Sequence, residues 1–65
     1  MTEKIKEQIL AIRDTGLTNM FDVRTVQRLA FDVDYYDLVN YLELVRILKD
    51  TREEYVNFIL TGKTE

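Results

Sequence analysis

Arg24, Gln27 and Arg28 are the side chains of this 65-residue chain best suited to reading a partner by hydrogen bonds. Arg pairs bidentately with guanine and Gln with adenine in a major groove. At helical spacing the three project together from a second helix, after a first helix and a turn, which is the layout of a helix-turn-helix. The competing reading is a solvated face, with Arg28 beside Asp32 four residues on. Net charge favours the second: 12 acidic against 9 basic residues give −3, and Arg13, Arg24 and Arg28 are few for holding a duplex by phosphate contacts. A dimer would double that count, so DNA binding stands as the alternative.

Catalytic chemistry has little to build on. The chain has no His, no Cys and two Gly, which removes the usual imidazole bases, thiol nucleophiles, zinc ligand sets and glycine-rich phosphate loops. Asp32, Asp34 and Asp37, or Glu53 and Glu54, can be drawn as acid/base pairs or magnesium ligands. Such work needs a pocket that shifts their pKa or oxygens that converge, and capping or exposed positions account for all of them. The chain is therefore read as no enzyme, with no cofactor and no metal. An acidic surface that mimics nucleic acid is a weak option, because the acids are largely balanced by bases.

The elements that position these residues are helical. Pro is absent, Gly is confined to positions 16 and 62, and 32% of residues are charged, all of which suits helices. Ile5, Ile9 and Ile12 mark one face of a first helix over about residues 3–15, with Thr2 as N-cap and Gly16 as its left-handed stop. Leu10 points to a second side, shared with Leu17. Met20 and Phe21 read as core plugs in the following turn. Asp22 caps a second helix whose core stripe is Val23, Val26, Leu29, Ala30 and Val33, and Phe21 is placed to staple onto Val26. Asp34 is read as the cap of a third helix. That helix is apolar around much of its circumference, leaving a narrow polar strip through Asn40, Glu43 and Arg46, so it must be covered on more than one side.

Beyond it two readings stay open. Asp50 or Thr51 can start a fourth helix, since Glu53 and Glu54 follow at capping-box spacing. Alternatively Leu38, Tyr41, Val45, Leu48, Arg52, Tyr55 and Ile59 run as one heptad seam through a single helix of about 26 residues, about 39 Å long. Gly62 ends the last helix in either case, and residues 62–65 form a frayed tail. The expected fold is an all-α, compact three- or four-helix domain, third helix central, over residues 1–65. Its core is drawn from Ile5, Ile9, Ile12, Val26, Leu29, Leu38, Leu42, Val45 and Ile59.

A domain this small buries only about 60% of the surface its unfolded chain exposes, and without Cys or His neither a disulfide nor a structural zinc can add to it. Idealised helix packing or self-association remain, and self-association is the favoured reading. Aromatics make up 11% of the chain and are enriched in interface cores. Tyr41, Tyr55 and Phe58 fit the domain core, while Phe31 and Tyr36, off the main stripes, fit an edge. Phe31, Tyr36, Leu44, Ile47 and Leu48 are accordingly the candidate protein interface, most simply of a homodimer. The charged N-terminus lacks the apolar stretch of a signal peptide, and no apolar run approaches a membrane span. The expected protein is soluble and cytoplasmic, with no membrane partner.

Two strings add to this. Asn19-Met20-Phe21-Asp22 with Val26-Gln27-Arg28-Leu29-Ala30, and Glu54-Tyr55-Val56-Asn57-Phe58-Ile59-Leu60-Thr61-Gly62, resemble a small domain of unknown function, numbered 5049, carried by bacterial phages and prophages. The resemblance spans nearly the whole chain, from Ile9-Leu10-Ala11-Ile12 onward. It carries no assigned activity. What it implies is a phage or prophage accessory protein in the bacterial host cell, with a phage or host protein as a further potential partner.

Overall fold

Four helices make up the computed structural model, which describes residues 1–62: α1 (Glu3–Thr15), α2 (Val23–Asp32), α3 (Tyr36–Ile47) and α4 (Lys49–Thr61). The all-α expectation is met, with four helices rather than three. Of the tail assigned to residues 62–65, positions 63–65 lie outside the described residues; Gly62 is the left-handed cap of α4, its N–H reaching the Phe58 carbonyl at 2.7 Å.

α1 and α2 begin and α1 ends where local chemistry requires. Thr2 accepts from the Ile5 N–H at 3.2 Å, and Gly16 sits at φ 65°, a conformation that costs glycine nothing sterically. Asp22 accepts from both the backbone N–H and the hydroxyl of Thr25, the latter at 2.8 Å.

The end of α2 differs from expectation. Asp34 does not cap α3; it takes the left-handed conformation itself, at φ 63°. Its N–H donates to the Phe31 carbonyl at 3.1 Å and that of Tyr35 to the Ala30 carbonyl at 2.8 Å, the paired bonds of a Schellman stop. The stop turns Val33 outward, leaving it 52% exposed instead of on the core stripe.

α3 has no side-chain cap from its own flanks at either end. Neighbouring helices supply both. Gln8 of α1 accepts from the Leu38 N–H at 3.1 Å in the first turn. At the other end Arg52 of α4 donates to the carbonyls of Val45 at 3.3 Å and Arg46 at 3.2 Å, partners for acceptors that every helix C-terminus leaves open. Between the two helices the backbone breaks at one extended residue, Leu48, with φ −104° and ψ 126°. The continuous-helix reading therefore fails, and so do Asp50 and Thr51 as N-caps, because α4 is already under way at Lys49.

α3 is central in the physical sense: it packs against α1, α2 and α4, while α1 also packs on α2. The core comprises Ile9, Ile12, Met20, Val26, Ala30, Leu38, Tyr41, Leu42, Val45, Tyr55 and Phe58. Ile5, Leu29 and Ile59, expected within it, are partly buried against its edge. Met20 plugs the core as expected, whereas Phe21 is about half exposed and Leu17 lies largely in solvent. No helix among the described residues is long and apolar enough to cross a membrane.

Candidate functional site

At 3.6 residues per turn, Leu38, Tyr41, Leu42 and Val45 fall on one side of α3, and all four are buried. Tyr36, Asn40, Leu44 and Ile47 fall within an arc of about 80° on the other. All four are exposed, Ile47 to 65%. Three helices thus cover one face of α3 and leave a stripe along the opposite one.

The stripe extends past both ends of the helix. At the N-terminal end the Phe31 ring stands edge-on to that of Tyr36, centroids 5.8 Å apart at 71°, and Phe31 is itself 59% exposed. The Schellman stop brings these rings together, because it reverses the chain within Val33–Tyr35. The Tyr36 hydroxyl donates to Asp34 at 2.8 Å; that hydrogen bond, with the carboxylate's negative charge, raises the phenol above its ordinary pKa. At the C-terminal end Leu48, about half exposed at the break, continues the apolar surface. The structure thus places all five residues assigned to a protein interface, Phe31, Tyr36, Leu44, Ile47 and Leu48, on the outside of the chain.

Beside the stripe lies an open groove of about 530 Å³, lined by Thr2, Lys4, Ile5, Asp37, Asn40, Tyr41 and Leu44. Lys4 and Asp37 meet across it at 3.1 Å, with both side chains more than half exposed, so the pair adds little stability. In the wall behind, the Tyr41 hydroxyl donates to Glu54 Oε1 at 2.6 Å, and the Met1 amino group lies 3.4 Å from Glu54 Oε2. Burial, then the bond to Glu54, holds the Tyr41 phenol well above its ordinary range. Sequence reasoning gave Glu54 to a helix cap; its contact with Tyr41 spans α3 and α4 and leaves no signature in local spacing.

The nucleic-acid candidates separate. Arg24 and Arg28 are exposed, and Arg28 makes no ion pair with Asp32 or any other described residue. Gln27 turns toward α3: its amide nitrogen donates to the Val39 carbonyl at 3.1 Å and to Glu43 at 2.9 Å, and its oxygen accepts from Arg46 at 3.2 Å. Arg46 also reaches Glu43 at 3.4 Å. The two helices that would form a helix-turn-helix are joined by residues 16–22, longer than the three- or four-residue turn of that motif. Among the described residues no group of three or more His, Cys, Asp or Glu is placed to hold a metal ion.

Fold and surface together define a small all-α domain with one helix covered on one face and exposing Tyr36, Leu44 and Ile47 around Asn40 on the other. The chain belongs to the family described as Domain of unknown function (DUF5049), whose model matches residues 1–63. No curated protein and no solved structure matches it.

Proposed function

We propose that the chain is a phage or prophage accessory protein that acts by non-catalytic protein association, most simply as a homodimer joined through the outer face of α3. The observation that carries association is that Phe31, Tyr36, Leu44, Ile47 and Leu48 are all exposed, Tyr36, Leu44 and Ile47 along the outer side of α3 around Asn40. Scattered single apolar residues on a surface need no explanation, whereas here three large ones share one helix side and the Phe31 ring stands against Tyr36 at its end. The phage setting rests on the resemblance of the strings around Met20–Phe21 and Tyr55–Phe58.

Sedimentation across micromolar concentrations tests the dimer: a concentration-dependent shift from one copy to two supports it, and a monomer throughout overturns it. The DNA-binding alternative rests on Arg24 and Arg28, since Gln27 is engaged with α3. Duplex binding that collapses with added salt, by counterion release, would favour that alternative over association.

A further inference from the structure

α1, α2 and α3 pack on one another, whereas the helix packing of α4 is with α3. A single extended residue, Leu48, joins the two. Helical bonding persists on either side of it: the Leu48 N–H donates to the Leu44 carbonyl at 2.7 Å and the Arg52 N–H to the Leu48 carbonyl at 3.0 Å. Neither Gly nor Pro stands in Arg46-Ile47-Leu48-Lys49-Asp50, so local chemistry does not forbid a helix there. A continuous helix would add backbone bonds from Lys49, Asp50 and Thr51 to the carbonyls of Val45, Arg46 and Ile47. In the single chain the Arg52 side chain holds the first two of those carbonyls.

From this hinge, and independently of the outer face of α3, we infer a second arrangement in which α3 and α4 join and two copies exchange their α4 helices. The joined helix, Tyr36–Thr61, would measure about 39 Å at 1.5 Å per residue. The compact chain is 27 Å in its greatest extent, so straightening carries α4 off its own core. Tyr55 and Phe58, both buried, then lose their surroundings, and the Met20 carbonyl loses the Tyr55 hydroxyl. The occupant that fits the vacated seat is the helix that left it. α4 of a second copy brings Tyr55 to Met20 and Glu54 to Tyr41 exactly as the chain's own α4 does, and these two bonds set its register. Exchanging an identical element is a low-cost route to a dimer, because the contacts are reused. The two forms therefore differ chiefly at the hinge, and mass action favours the exchanged one as concentration rises.

Lys49→Pro separates the forms. Proline suits the first position of a helix and keeps the residue before it extended, where Leu48 already lies at φ −104° and ψ 126°. Inside a continuous helix it removes a backbone donor and clashes with the preceding turn. Wild-type chain refolded from denaturant should yield a dimer fraction that grows with the protein concentration used, and Arg52→Met should enlarge it. Lys49→Pro should fold and stay monomeric under the same treatment. In dimers mixed from isotope-labelled and unlabelled wild-type chains, nuclear Overhauser contacts should join the Tyr55 ring of one copy to Met20 of the other, a readout that needs no variant. Wild-type chain that stays monomeric, or Lys49→Pro that dimerises like wild type, overturns the exchange. So does a dimer whose Tyr55–Met20 contact lies within each copy, which would leave the outer face of α3 as the interface.

Discussion

Tyr55 of α4 donates its hydroxyl to the main-chain carbonyl of Met20, 2.6 Å away and buried, across 35 positions of sequence. The ring is completely buried and the loop carbonyl has no other donor among the described residues, so this bond ties the α1–α2 connection to the last helix. Tyr55→Phe keeps the ring and removes the donor, leaving Met20 with a buried unsatisfied acceptor. A loss of about 1–3 kcal/mol follows, visible as a lower urea midpoint with an unchanged slope. A variant as stable as wild type would show that the loop is held by Met20 packing alone.

The same hydroxyl confers alkaline sensitivity. Burial pushes the Tyr55 phenol up to about 12, above the value near 10 of an exposed tyrosine. The folded state therefore holds a proton that the unfolded chain releases, and stability falls as pH rises from about 10 to 12. Tyr41, raised by burial and by Glu54, acts in the same direction. Denaturation midpoints should hold steady up to about pH 9 and then drop, with tyrosinate absorbance appearing alongside unfolding. Full ionisation of all four tyrosines while helical circular dichroism is intact would contradict this account.

Arg52 gives a test of the α3–α4 break. Arg52→Met preserves much of the aliphatic stem and removes both donors to the Val45 and Arg46 carbonyls. Expected is a loss of about 1 kcal/mol for two partly solvated hydrogen bonds, with faster amide exchange in the last turn of α3. Unchanged exchange at Leu48, whose N–H bonds to Leu44 at 2.7 Å, would show that the break is held without Arg52.

Asp34 bears the one positive φ outside glycine among the described residues. Asp tolerates the left-handed region better than most side chains, yet glycine occupies it without steric cost. Asp34→Gly relieves the left-handed strain but frees the unfolded chain and loses the exposed bond to Tyr36, so it should stay within about 0.5 kcal/mol of wild type, whereas Asp34→Val, forced into the same conformation, should lower stability by about 1–2 kcal/mol. The check is a pair of thermal melts in which Asp34→Gly stays close to wild type and Asp34→Val falls clearly below both.

These residues also show where sequence reading succeeds and fails. Thr2, Gly16 and Asp22 act on their own flanking backbone, so the starts of α1 and α2 and the end of α1 were legible from residue type and position. The ends of α3 were not, because Gln8 and Arg52 reach them from other helices. Without Gly, Pro or a short polar cap at Leu48, the heptad seam passed for continuous helix. Val33 kept the spacing of the α2 stripe, but the stop at Asp34 took it out of the core. Gln27 looked like a base reader because helical spacing gives direction only; its commitment to Val39, Glu43 and Arg46 needed the packing of α2 on α3. The outer stripe of α3 was legible for the opposite reason: an all-round apolar helix in so short a chain must leave some of its circumference uncovered.

Charging that stripe is the decisive test of association. Leu44 and Ile47 are 47% and 65% exposed in the single chain, so Leu44→Glu and Ile47→Glu place the new carboxylate where an isolated copy keeps it hydrated. The folded monomer should survive, because no core contact of Ile9, Leu42 or Tyr55 is disturbed. In a dimer the same carboxylate is buried against the partner's apolar surface, at a cost of several kcal/mol that the subunits avoid by separating. Each variant should sediment as one helical copy under conditions where wild type forms two, and its melting temperature should lose the concentration dependence that association confers. Variants that still sediment as dimers would place the interface elsewhere, while variants that unfold would mean that α3 needs its partner to fold at all.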